Sequence, residues 1–499
     1  MAAALVQAPP PQHAPSGMHP PASLSPAWAG GAVTGGRAGV WSGASAARLP
    51  AAPRPTRIAI AMTSWCMTRS IHGTAHLARR GSCTHPMIPT TLASALPGQE
   101  RPGYGARMSD IFYDVASIDY PILDADAHVN EPPDLWQSRV AQRLRARAPK
   151  VLRTKTGDVW SFDDGKRLRP LGLTATAGLS YLQFRAEGFR YEEIRPGSFD
   201  PKARLADLDA DGIWAQVLYP SVTLAGARTY ADDRELQVAC VRAYNEWLAD
   251  FCAEGGGRLI GQTIIPTTGV ADAVLELRWG LDHGMKGALI PAYPNGTYDD
   301  PGPANDPFWD LAQDSGTPLG VHIGSFNELG LAAGKMNLST VAFMAGAGAS
   351  KAGSQTIPVA AQLVFSGIPQ RFPRLRFVMV EANIGWIPTV LEQLDDMFLR
   401  YRWFSGAVDL MKEMPSRIFH RNFWATFMID TVGIELRHRL NLDHVMWSTD
   451  YPHTGSDWPN HRVTLERLFR GVPKSEVRKM LHGNCRALYR LDQVPDTLP

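Results

Sequence analysis

Ionisable residues stand at the downstream ends of short apolar runs, where an unpaired charge is costly to bury. One run ends Leu123-Asp124-Ala125-Asp126-Ala127-His128-Val129-Asn130-Glu131. Strand residues two apart share a face, so Asp124, Asp126 and His128 are expected to point the same way. Further runs end in His322, in Glu381, in Asp430 and in Asp450, the last within Trp447-Ser448-Thr449-Asp450-Tyr451-Pro452-His453. Two histidines and several carboxylates form a mixed nitrogen and oxygen donor set that suits a divalent cation. Three or four protein ligands leave a position open for water or substrate, as catalysis requires. Plainer roles stand beside this one. His322 alone would be a satisfied core histidine, Asp450 a turn cap and Glu131 a solvated loop residue. Asp124 is read as an acceptor that orients His128 rather than as a ligand.

These residues converge only if the runs are parallel strands. Eight apolar, β-branched runs cover 118–128, 213–221, 258–266, 285–291, 317–325, 376–383, 423–430 and 444–452, each about the length of a buried strand. Helical patterns lie between them. Asp232-x-x-Glu235 reads as a capping box opening a helix that stops at Gly255-Gly256-Gly257. Segments 270–281 and 384–400 repeat apolar residues at helical spacing, and Pro473 begins a last helix. Strands alternating with helices predict a parallel sheet with crossovers, and eight such units predict an α/β fold of the (β/α)8 TIM-barrel type. Side chains at the C-terminal strand ends then share one pocket. Two inserts break the alternation, 131–205 after strand one and 326–355 after strand five, and are expected to act as lids or binding loops. Gly346-x-Gly348 is read as flexibility of the second insert.

Charge divides the chain. Its 499 residues carry a net +2. Residues 1–107 hold nine Arg, no Lys and one acid, Glu100, whereas the other 41 bases and 47 acids fall in 108–499. Residues 1–107 are expected to be a disordered Pro/Gly/Ala-rich basic tail, with an organelle transit peptide as an alternative and a start at Met108 preferred. The acidic body at 108–499 argues against a nucleic-acid partner. No apolar stretch is long enough for a membrane helix. Five Cys without a C-x-x-C pair argue against disulfides and thiolate zinc, and lead to the expectation of a cytoplasmic protein. Dinucleotide, P-loop and H-E-x-x-H motifs are absent.

Over about 120–491 the sequence resembles the metal-dependent amidohydrolase superfamily, in the amidohydrolase-related branch that contains aminocarboxymuconate-semialdehyde decarboxylase. The resemblance rests on 124–136, on 207–220, on Tyr244-Asn245-Glu246-Trp247 with Arg258-Leu259, on His322, on 448–453 and on Gly483-Asn484. It implies a barrel with one catalytic divalent metal. The branch's first-strand Asp-x-His-x-His falls on Asp124, Asp126 and His128, so Asp126 replaces a ligand histidine. His322 matches the strand-five ligand and Asp450 the strand-eight ligand or base. Glu381 stands where the family often has a catalytic histidine. Lys286 opens its run rather than closing it, which speaks against a carbamylated, two-metal centre.

The resemblance therefore implies metal ligation by Asp126, His128, His322 and Asp450, catalysis by Asp450, Glu381 and His322, and support from Asp124, Glu131, His453 and Asp430. Zinc is the first expectation for the metal, with manganese the alternative because a carboxylate in place of His hardens the site. The expected activity is that of a carboxy-lyase, a non-oxidative decarboxylase of a small aromatic or ring-opened carboxylic acid. A metal-dependent hydrolase of an amide, lactone or C–C bond and a non-catalytic barrel are the alternatives. The expected partner is that small carboxylate, and Tyr401-Arg402-Trp403-Phe404 is read as a packing surface or as the contact of a homodimer.

Overall fold

Each of the eight apolar runs coincides with one strand of a parallel sheet, the first strand ending one residue beyond its run. The structure, a computed structural model, describes residues 114, 117–224, 226–324 and 341–498. The expectations for 1–107 and for the first half of the second insert lie outside the described residues. The barrel strands are β1 (Leu123–Val129), β5 (Ala215–Pro220), β6 (Leu259–Ile264), β7 (Gly287–Leu289), β8 (Pro318–His322), β9 (Arg376–Val380), β10 (Phe423–Phe427) and β11 (Val445–Trp447). They pair in that order, every pair parallel. Two hydrogen bonds join the ends of the sheet: Asp450 N–H donates to the Asp126 carbonyl (2.9 Å) and His128 N–H to the Tyr451 carbonyl (2.6 Å). The sheet is thus a (β/α)8 barrel, and side chains of both signs of polarity fill its buried strands.

Helices cover the outside. They include α1 (Pro201–Asp211), α2 (Arg234–Ala253), α3 (Val270–Asp282), α4 (Asp306–Ser315), α5 (Val341–Lys351), α6 (Thr356–Phe365), α7 (Ile387–Tyr401), α8 (Pro415–Asn422), α9 (Thr431–Glu435) and α10 (His461–Leu468). The start of α1 follows from its sequence: Asp200 accepts from Ala203 N–H, Pro201 has no N–H and so needs no acceptor, and Gly212 closes the helix with φ +74°. The cap of α2 is Asp233, which accepts from Leu236 N–H, one residue later than the spacing predicts. Asp232 instead pairs with Arg167. Gly346 and Gly348 lie inside α5, so that segment is helical rather than a loose loop.

The first insert forms an antiparallel sheet of β2 (Lys150–Thr154), β3 (Gly157–Phe162) and β4 (Arg167–Pro170). It reaches the barrel mouth, where Thr176 and Ala177 N–H donate to the Pro452 carbonyl at 2.9 and 3.1 Å. Tyr401, Trp403 and Phe404 are exposed, Phe404 at 80%, with Arg402 over the Trp403 ring and Tyr401 edge-on to Phe404. Among the described residues no helix is long and apolar enough to cross a membrane.

Beneath the mouth lies a buried polar layer. Arg204 of α1 is wholly buried and donates to the Gly197 and His128 carbonyls and to Gln216 Oε1. Gln216 Nε2 passes the chain on to Asp124 Oδ2 at 2.9 Å. Replacing Arg204 by Met should strand these acceptors and an uncompensated carboxylate, with a loss of about 3 kcal/mol or more in a denaturant titration. A loss under about 1 kcal/mol would show that the layer does not depend on that cation.

Candidate metal centre and active site

Strand β1 brings its acidic residues to different tasks. Asp124 pairs with Gln216 of β5 and Ala127 with Leu218, so β1 carries one extra residue between them. Such a bulge re-aims side chains. Asp124 turns to Thr449, accepting from its backbone N–H at 2.9 Å and from its hydroxyl, and also from Asp126 N–H at 3.1 Å. Burial pushes its carboxyl up to about 7 against these donors. His128 is oriented by another group: its Nδ1 lies 2.9 Å from the Pro220 carbonyl, which only accepts, so Nδ1 carries the proton and Nε2 a lone pair. The expectation that Asp124 orients His128 is therefore corrected. Asp124 holds the last strand instead.

Asp126, His128 and His322 converge. Asp126 Oδ1 is 3.5 Å from His128 Nε2 and 3.4 Å from His322 Nε2, and Asp450 Oδ1 is 3.4 Å from His128 Nε2. Asp126, His128 and His322 form one compact donor group, and His128, Asp450 and His453 another. Two atoms that each bind one tetrahedral ion at about 2.1 Å stand about 3.4 Å apart, so the donors fit a divalent ion. Both Asp126 oxygens and His128 Nε2 are buried without a hydrogen-bond partner, a costly state that a cation among them removes. Burial, then His453 and His322, keeps the His128 imidazole well below its ordinary pKa and neutral, as a ligand must be. Burial also acts to lower His322, but Asp126 outweighs it and pushes His322 up to about 9, so a proton and a metal ion compete for the same place.

Glu381 and Asp450 each lie just past a strand, with φ of +61° and +57°. Left-handed backbone is sparsely populated by such residues and concentrates at functional sites. Glu381 Oε2 is 3.6 Å from His322 Nδ1. Burial and the neighbouring Asp450 raise the Glu381 carboxyl. Burial would raise Asp450 too, but His453 and Lys351 hold it ionised. His453 stacks on His128 with ring centroids 3.8 Å apart. It places Nδ1 2.9 Å from Asp450 Oδ1 and Nε2 2.9 Å from Ser221 Oγ.

Two further expected supporting residues hold the loops beside the donor groups. Asp430 caps α9 and ties the preceding loop, accepting from Gly433, Ile384 and Gly385 N–H at 2.7–2.8 Å. Glu131 is fully buried, not a solvated loop residue, and accepts from Val222 N–H at 3.2 Å. Sequence reasoning missed Lys351, which ends α5 with Nζ 3.0 Å from Glu381 Oε1 and 3.5 Å from Asp450 Oδ2. The second insert offers Lys335 and Lys351, and no spacing rule selects one. It also missed Ser221 and Gly455. A Cβ on Gly455 would stand 2.3 Å from Asp450 Oδ2 and 2.8 Å from Lys351 Nζ.

Gly455→Ala should accordingly weaken metal affinity about tenfold or more while leaving thermal unfolding of the apo protein nearly unchanged. Wild-type affinity in that variant would mean that both side chains can yield. Glu131 gives a pH signature. Burial pushes its carboxyl from 4.5 to about 8, so the native state keeps a proton that the unfolded chain releases. Its contribution is fully present below about pH 4.5 and is lost as pH rises toward about 8. The melting temperature of Glu131→Gln, relative to wild type, should therefore climb over that interval; a flat difference would show Glu131 already ionised.

A family model described as amidohydrolase matches residues 123–491. No curated protein sequence is significantly similar. Among solved structures, an amidohydrolase from Mycobacterium avium subsp. paratuberculosis K-10 aligns with TM-score 0.61 and 20% identity, over 75% of this chain and 98% of that one. The 5-carboxyvanillate decarboxylase of Sphingomonas paucimobilis gives 0.52 and 22%, over 74% and 99%. That of Novosphingobium aromaticivorans DSM 12444, complexed with manganese and 4-hydroxy-3-methoxy-5-nitrobenzoic acid, gives 0.53 and 17%, over 77% and 100%. With the family model spanning the whole barrel and the donor groups at its C-terminal mouth, this chain belongs to the amidohydrolase family.

Proposed function

We propose that the chain is a carboxy-lyase that removes carbon dioxide non-oxidatively from a small aromatic or ring-opened carboxylic acid, with one divalent ion held by Asp126, His128, His322 and Asp450. The observation that carries this reading is that Lys351 Nζ joins two buried carboxyls, Glu381 at 3.0 Å and Asp450 at 3.5 Å, whose surroundings shift them in opposite directions. Asp450 is held ionised, while Glu381, at the edge of the donor set, is pushed toward its protonated form. Environments that drive neighbouring pKa values apart assign acid and base. When bound, the ion supplies Lewis-acid polarisation of the substrate's oxygens. Glu381 delivers its proton to the carbon that loses the carboxylate. The C–C bond breaks, its electron pair takes that proton, and carbon dioxide leaves. Glu381 is then an anion beside Lys351, and solvent restores its proton. The named activity of the two decarboxylase neighbours supports this chemistry, and the manganese of one of them, together with the carboxylate-rich donor set, supports manganese at least as well as zinc.

A metal-dependent hydrolase is the second reading. It is favoured by the chain Ser221–His453–Asp450, which can take a proton from water. The acid is the partner in the first reading, and the exposed Trp403 and Phe404 would carry self-association.

The test is a panel of aromatic and ring-opened acids, amides and lactones with the manganese- or zinc-loaded protein. Carbon dioxide release without incorporation of oxygen from labelled water is expected; label in the product would establish the hydrolase instead. His322→Ala should lose bound metal and turnover together, and full metal occupancy in that variant would remove His322 from the ligand set.

A further inference from the structure

Lys351 is the accessible charge at this centre. Its side chain is 33% exposed, against 3% for Asp450 and 10% for Glu381, and 0% for His322 and Asp126. An ammonium has three donors. Glu381 takes one at 3.0 Å, Asp450 is at the long distance of 3.5 Å, and Met428 Sδ at 3.9 Å is a weak acceptor. Gly455 keeps the adjacent space clear, since any side chain there would collide with Nζ.

We propose that Lys351 reads the charge of the ligand: its ammonium binds a carboxylate or other oxyanion of the substrate on the open side of the donor set. The inference rests on the reading above only in placing an acid in the site; it holds whether that acid then loses carbon dioxide or reacts with water. In the competing role Lys351 merely neutralises Glu381 and Asp450, and the charge of the ligand is immaterial.

Benzoate and its neutral isostere benzamide separate the two. Their binding to manganese-loaded wild type, Lys351→Met and Lys351→Arg is measured by titration calorimetry, with metal content determined alongside. Wild type should prefer benzoate. Lys351→Met should lose about tenfold or more in benzoate affinity, the loss of a charge-assisted hydrogen bond, with little change for benzamide. Lys351→Arg should keep most of the preference. The proposal is overturned if wild type shows no preference, or if Lys351→Met weakens both probes equally or neither. If Lys351→Met loses its metal, Lys351→Arg decides: with metal intact, loss of the benzoate preference overturns the proposal. A benzoate preference in a protein that releases no carbon dioxide from any acid would sink the carboxy-lyase reading alone.

Discussion

The hydrogen bonds that close the barrel are made by candidate ligand residues and a neighbour of one of them. Asp450 N–H reaches the Asp126 carbonyl and His128 N–H reaches the Tyr451 carbonyl. Main-chain closure therefore fixes where three donor side chains meet, and a site of this kind tolerates little misplacement. The layer below repeats the arrangement with side chains. Arg204 holds the His128 carbonyl, Gln216 links Arg204 to Asp124, and Asp124 grips Thr449, the residue before Asp450. Each group in this layer is buried, and each finds its partner within it.

Above the seam, charge is arranged by burial rather than by distance to solvent. Three carboxylates crowd the mouth, and low dielectric makes their repulsion expensive. His453 and Lys351 hold Asp450 ionised, while Glu381 takes the opposite shift. Both carboxylates sit on left-handed backbone just beyond their strands. That conformation turns each side chain back over the barrel axis toward His128 and His322 instead of following the outgoing loop.

Much of this was legible in the sequence because period and punctuation agree. Buried parallel strands read as short apolar runs, and the helix after the second barrel strand was placed to within one residue of its Asp233 cap. His322 and Asp450 stood out because polar residues at the ends of apolar strands need a reason. Asp124 was legible as an acceptor rather than a ligand but its partner Thr449 was not, because a single extra residue in β1 breaks the two-residue alternation that put Asp124 and Asp126 on one face. Lys351 was hidden for another reason. It arrives on a helix of the second insert, and no local pattern reports which turn of an Ala/Gly-rich helix a distant carboxylate will meet. Asp430 looked like a site residue by its strand-end position and proved to be a helix cap, a role that the same position serves equally well.

The closing seam spans the chain, with Thr449 and Asp124 lying 325 positions apart. During synthesis, a chain that stops short of the last strand offers Asp126, His128 and His322 but has no ring to hold them in register. Contacts of such long range form late and slowly. The complete donor group, with Asp450 beside His128, therefore exists only in a closed barrel, and a truncated chain lacks it.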